Sequence, residues 1–155
     1  MARSIIIPAE SRFQLARTSL IGLQDFQRAV GGWVEQVTIT DQLAMLVDEE
    51  GRMKNLPINR RATLLRRLLS PSSRDELAIV GNAVLLGVPL YEQFRDVPQD
   101  VEKLLIETNR YVVRATAGTS ELRSHPFDSF WEASEVAIVA DLAEAVGDIE
   151  VIAYE

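Results

Sequence analysis

The chain predicts an α+β fold: a mostly antiparallel sheet with helices packed on one face. Three observations carry this expectation. Short runs rich in Ile, Val and Leu alternate with a period of two, as strands do. Other stretches place apolar residues at helical spacing between capping residues and glycines. Their order along residues 4–86 is β-α-β-β-β-α-β, which suits hairpins and helical excursions better than a parallel crossover fold.

Residues 4–8 form the first strand, because Ile5-Ile6-Ile7 favours a pleat. Residues 9–18 read as a loop or a frayed turn. Ser19 is placed as the N-cap of a helix over residues 20–30, with Leu23, Phe26 and Val30 on one face, and Gly31-Gly32 ends it. Residues 33–40 alternate as a strand, which puts Glu35 on the same face as Val37 and Ile39. Residues 43–47 and 52–55 are expected to flank a hairpin turn at Asp48-Glu49-Glu50-Gly51. Pro57 closes that hairpin, and Asn59 caps a helix over residues 60–69. Ser70-Pro71-Ser72-Ser73 is a loop, and residues 77–86 are a strand interrupted by Gly81-Asn82.

The remainder is read more coarsely. Gly87-Val88-Pro89 makes a turn, a helix starts at Pro98 or Gln99 and runs to Glu107, and residues 111–115 are a strand. Residues 116–126 read as an exposed loop. Asp128 or Ser129 caps a helix running to Val146, closed by Gly147. Residues 149–154 alternate as a last strand, expected beside residues 4–8. The organisation is therefore an α+β core over residues 1–90 and a C-terminal elaboration over residues 91–155 packed on it.

Composition narrows the function classes. Hydrophobic residues make up 47% and charged residues 25% of 155 residues, the balance of a globular chain with a real core. No apolar run approaches the roughly 18 residues of a membrane span, so no membrane partner and a cytoplasmic location are expected. There is no cysteine and His125 is the single histidine. No disulfide, thiol nucleophile, thiolate metal site or structural zinc is expected on that basis; a carboxylate-bound Mg²⁺ or Ca²⁺ stays open but no EF-hand-like spacing appears, so neither a metal site nor a cofactor is assigned. Charge is split along the chain. Residues 1–91 hold 11 basic and 9 acidic residues, whereas residues 92–155 hold 5 and 14. An acidic second half argues against nucleic acid, which needs phosphate-neutralising cations.

Three pieces of sequence stand together: Gly31-Gly32-Trp33-Val34-Glu35; Glu49-Glu50-Gly51 leading to Leu56-Pro57-Ile58-Asn59-Arg60-Arg61-Ala62-Thr63; and Ile79-Val80-Gly81-Asn82-Ala83-Val84-Leu85-Leu86-Gly87. In this order and spacing they resemble a domain-of-unknown-function family of small proteins carried by bacteriophages, plasmids and actinobacterial genomes. The resemblance covers about residues 1–90. It implies an accessory protein of a mobile element, acting in the cytoplasm of a bacterial host, and it implies no activity.

The helix starting at residue 60 breaks a local rule. A helix N-terminus carries about half a positive charge and favours anions, yet Arg60 and Arg61 stand there. Arg61 falls on the apolar stripe of Leu65 and Leu68, so it needs a partner on the sheet side. Two alternatives are open. Arg61 pairs with Glu35, which has the complementary problem on its strand, while Arg60 meets Glu49 or Glu50. Otherwise Asn59, Arg60, Arg61 and Thr63, with Glu35 and Asn82 nearby, line a pocket for a small anion such as a nucleotide, phosphate or carboxylate.

The second candidate surface lies in the acidic half. Asp128, Glu132 and Glu135 share one side of the last helix, beside Phe127, Phe130 and Trp131. Past Glu135 that side turns apolar, with Val139, Leu142, Ala143 and Val146, and is expected to enter the core. Aromatics among acids suit a protein contact, including a second copy of the chain, better than stacked bases. Ser124, His125, Asp128 and Ser129 are neighbours in sequence and lack the convergence of a triad. No catalytic residue stands out. A non-enzymatic protein that binds a host protein is the expected function, with a binder of a small anionic ligand as the alternative.

Overall fold

The computed structural model describes residues 1–143 and 147–155, and they form an α+β protein with antiparallel sheets. The chain divides into two compact units, Met1–Glu102 and Lys103–Glu155. The first unit thus runs past residue 90.

Its strands are β1 (Ala2–Ile7), β2 (Ala16–Leu20), β3 (Val34–Thr38), β4 (Leu43–Asp48), β5 (Ala83–Leu90) and β6 (Gln93–Arg95). They form one antiparallel sheet in the order β2-β1-β5-β4-β3. Gly87 of β5 faces Leu43 on one side and Arg95 on the other, so β6 extends the edge held by β1. The helices are α1 (Leu23–Val30), α2 (Arg60–Leu69) and α3 (Gln99–Glu102).

Register explains how both sheet faces are filled. Ala2, Ala44, Leu46, Val84 and Leu86 share a cluster with Phe26 and Val30 of α1. The neighbouring row, Ile5–Leu85–Met45–Val37, points the other way. On that side Val37 and Val47 share a cavity wall with Arg66 of α2. The two helices therefore serve opposite faces, not one. This is why every residue of β4 is buried and why its sequence reads as a continuous apolar run.

Several element boundaries differ from expectation, each for a local reason. Residues 16–20 form a strand, where the end of a loop (to residue 18), a helix N-cap at Ser19 and the first helical residue, Leu20, are expected; only Thr18 and Leu20 turn inward and the alternation is faint. Ser19 therefore sits in β2, and Gly22 stands at the N-cap of α1. There Asp25 accepts hydrogen bonds from the N–H groups of Ile21 (2.9 Å) and Gly22 (3.4 Å), the carboxylate half of a capping box. Gly31 ends α1 at φ +90°, as its position predicted.

The expected hairpin at Asp48–Gly51 does not form, and residues 52–55 are not a strand. The buried Asp48 carboxylate accepts from Glu50 N at 2.9 Å and from Lys54 Nζ at 2.7 Å, which winds the chain into helical turns. The partner of β4 in a hairpin is β3. Burial pushes the Asp48 carboxyl up. The Lys54 and Glu50 hydrogen bonds and the Lys54 charge outweigh that, so its pKa lies below the ordinary carboxylate value. A lowered folded-state pKa adds stability above the unfolded value, about pH 4, and loses it as pH falls through the folded value. Asp48→Asn is expected to cost about 2 kcal/mol at pH 7. In urea titrations, the gap from the wild type should narrow as pH falls below about 4 and close once the folded-state carboxyl is protonated.

Residues 77–82 do not extend β5. Gly81 adopts φ +76°, and a Cβ there would lie 2.8 Å from the Leu56 side chain, so the chain bends sharply before the strand begins.

The second unit holds β7 (Tyr111–Ala117), β8 (Ser120–Arg123), α4 (Phe130–Leu142) and β9 (Asp148–Ala153). Its sheet has the antiparallel order β8-β7-β9. Two expectations are corrected. Residues 120–123 pair with β7 in a hairpin where a loop was expected, and the last strand pairs with β7, not with residues 4–8. Ser129 caps α4, its Oγ accepting from Trp131 N and Glu132 N. The expected continuation of this helix through Val146 lies partly outside the described residues. Among the described residues, no helix is long and apolar enough to cross a membrane.

Candidate functional site

The residues predicted for the anion pocket do converge, but on the protein's own chain. Asn59 is fully buried. Its Oδ1 accepts from Ala62 N at 3.0 Å, capping α2. Its Nδ2 donates to the carbonyls of Ile7 (2.8 Å) and Gly81 (2.9 Å). Thr63 Oγ1 donates to the Asn59 carbonyl at 2.7 Å and accepts from Ile79 N at 3.0 Å. Asn82 Oδ1 accepts from Ala9 N at 3.0 Å. Arg61 is buried, and its guanidinium donates to the carbonyls of Pro8 (2.9 Å) and Glu10 (3.2 Å). Asn59, Arg61 and Asn82 thus grip four consecutive residues, Ile7 to Glu10, where the chain leaves β1.

Glu35 is not the partner of Arg61. It lies opposite Val47 on β3, exposed, without an ion pair or hydrogen bond among the described residues. Arg61 carries its charge against two carbonyl dipoles instead. Burial lowers its pKa from the ordinary guanidinium value, and its Nε has no hydrogen-bond partner among the described residues. Arg60 is exposed at the same helix start.

Glu35 instead lines a cavity of about 380 Å³ formed wholly within the first unit. Val37, Val47 and Ile79 supply apolar wall, and Arg52, Arg66, Asp75 and Glu76 bring charge to it. No motif or spacing in the sequence points to this cavity. Its charged residues come from four segments with no common spacing, and only the fold brings them together.

In the second unit, Phe130 is buried with its ring edge-on to Tyr111, and Trp131 is half-buried against Phe130. Phe127 pairs by backbone with Tyr111 and rests its ring on His125. These aromatics are anchors of the fold. Asp128 and Glu132 are exposed and Glu135 is half-buried. The inward face of α4 is Phe130, Ala133, Ser134, Ala137 and Ile138. Val136, Val139 and Leu142, the last two expected in the core, are 43%, 67% and 63% exposed. A helix apolar on both sides is normally covered on both, so this ridge is the unusual feature of the second unit.

Comparison with curated proteins and with solved structures found no match. The sequence profile of the family described as Domain of unknown function (DUF3846) matches residues 2–110, which takes in all of the first unit but Met1 and extends past the resemblance read over residues 1–90. With most of its length matched, the chain belongs to the DUF3846 family.

Proposed function

We propose that the protein acts by binding another protein through the outer face of α4, without catalysis. The observation that supports this most directly is the exposed ridge of Val136, Val139 and Leu142 on an apolar helix. Exposed contiguous apolar side chains mark interaction surfaces, and an amphipathic groove receives such a helix at this kind of spacing. The second unit, residues 103–155, holds 10 acidic and 4 basic residues, with Glu132 exposed beside the ridge. The complementary partner has an apolar groove with a basic rim. A host protein of a bacterium carrying a mobile element is the partner that the resemblance suggests.

The test compares the wild type with a Val139→Asp, Leu142→Asp double variant in pull-downs from the native host. Both side chains are solvent-exposed, so the fold should change by no more than about 0.5 kcal/mol per site. A basic protein retained by the wild type, lost from the variant and weakened by added salt is the expected result. Equal retention by both proteins would refute the reading. So would a ridge that only joins two copies of this chain, which light scattering of the two purified proteins detects.

A further inference from the structure

We propose that the cavity beside β3 and β4 binds a free amino acid with a basic side chain. The inference concerns the first unit and stands apart from the α4 reading. The cavity volume of about 380 Å³ lies at the small end of ligand clefts, which run from roughly 300 to 1,000 Å³.

Its charges sort into those already satisfied and those left over. Arg66 and Glu76 form an ion pair in the wall, although the buried Nε of Arg66 has no hydrogen-bond partner among the described residues. Asp48 is closed by Lys54 Nζ at 2.7 Å. Arg52 donates one guanidinium N–H to the Ala78 carbonyl at 2.6 Å and has no carboxylate partner among the described residues. Glu35 and Asp75 line the same cavity with no ion pair or hydrogen bond among the described residues. One cation and two anions therefore face the cavity uncompensated, between Val37, Val47 and Ile79.

The complementary small molecule carries two cations and one anion joined by methylenes. That is the charge pattern of lysine, ornithine or arginine. Its α-carboxylate suits the free donors of Arg52, which can grip a carboxylate with two N–H groups. Its α-ammonium and side-chain cation suit Glu35 and Asp75, and its methylenes lie along the valine and isoleucine wall. A simple anion meets two unpaired carboxylates here, and a neutral apolar amino acid leaves one of them uncompensated.

The experiment is calorimetric titration of the 155-residue chain with L-lysine, L-arginine, cadaverine and L-norleucine. Cadaverine lacks only the carboxylate of lysine, and norleucine lacks only its terminal ammonium. Lysine should bind saturably and each analogue at least about tenfold more weakly, the size of one lost charge-assisted hydrogen bond. Arg52→Gln should bring lysine down to the level of cadaverine and leave cadaverine unchanged. Glu35→Gln with Asp75→Asn removes the partners of both ammonium groups and should bring lysine below the level of norleucine on the wild type. Glu35 and Asp75 are exposed and make no ion pair or hydrogen bond among the described residues, so their double variant should match the wild-type thermal midpoint, whereas Arg52→Gln gives up the bond to the Ala78 carbonyl and should melt slightly lower. Absence of saturable binding by both lysine and arginine overturns the proposal. So does cadaverine binding as tightly as lysine, or lysine binding that survives both sets of substitutions.

Discussion

Asn59→Ala is expected to cost about 4 kcal/mol, a large share of the roughly 5–15 kcal/mol that holds a domain folded. One side chain serves three backbone groups from three parts of the chain. Its oxygen caps α2 at Ala62 N, and its amide nitrogen donates to the carbonyls of Ile7 and Gly81. Losing a cap costs about 1 kcal/mol, and each buried carbonyl left without a donor costs about 1–3 kcal/mol. Asn59→Asp separates the two roles. Aspartate is as good a cap as asparagine, but its second oxygen then faces two carbonyls with no proton between them. Asn59→Asp should therefore be as damaging as Asn59→Ala at pH 7. The new carboxyl would have a folded-state pKa raised above its unfolded value. Its penalty should therefore shrink as pH falls through that raised value, when the protonated group can donate to one carbonyl. Urea denaturation at pH 7 and pH 4.5 reads both effects. An Asp variant within 1 kcal/mol of the wild type at pH 7 would mean that Asn59 is a cap only.

How far the fold was legible follows from which interactions are local. Asn59 was read as a cap and α2 as residues 60–69, and both hold, because capping and helical spacing are written within one turn of chain. Gly31 likewise ends α1 by its own φ. The turn after β4 departs from its hairpin composition because its determinant reaches beyond one turn of chain and depends on burial of a carboxylate. Asp48-Glu49-Glu50-Gly51 has hairpin composition, but the buried Asp48 carboxylate holds Lys54, six residues on, and coils the segment. β2 was missed because an edge strand with two inward residues has almost no alternation to detect. The partner of Arg61 was misjudged for a similar reason. Sequence shows that a buried guanidinium needs acceptors, but it cannot distinguish a distant carboxylate from main-chain carbonyls, which every residue carries. The cavity at Glu35, Arg52 and Asp75 left no sequence trace, since no periodicity links those positions.

Arg61 is the second substitution with a large expected effect, and it decides what the arginine at the start of α2 does. Arg61→Gln should cost about 2–3 kcal/mol, because hydrogen bonds to a charged donor contribute about 1.5–3 kcal/mol and two carbonyls share this one. Glu35→Gln should change stability by less than about 0.5 kcal/mol, since Glu35 is exposed and makes no ion pair among the described residues. An Arg61–Glu35 pair would behave differently: both substitutions would be costly, and combined they would cost less than their sum. The thermal midpoint in phosphate, nucleotides and dicarboxylates adds the remaining comparison. A ligand that binds only the folded state raises the midpoint with concentration. If Arg61 serves the chain alone, these anions should move the wild type and a folded Arg61→Gln protein equally. A shift confined to the wild type would mean that the guanidinium also meets an anion, and the start of α2 would then be a binding site as well as a clasp on the end of β1.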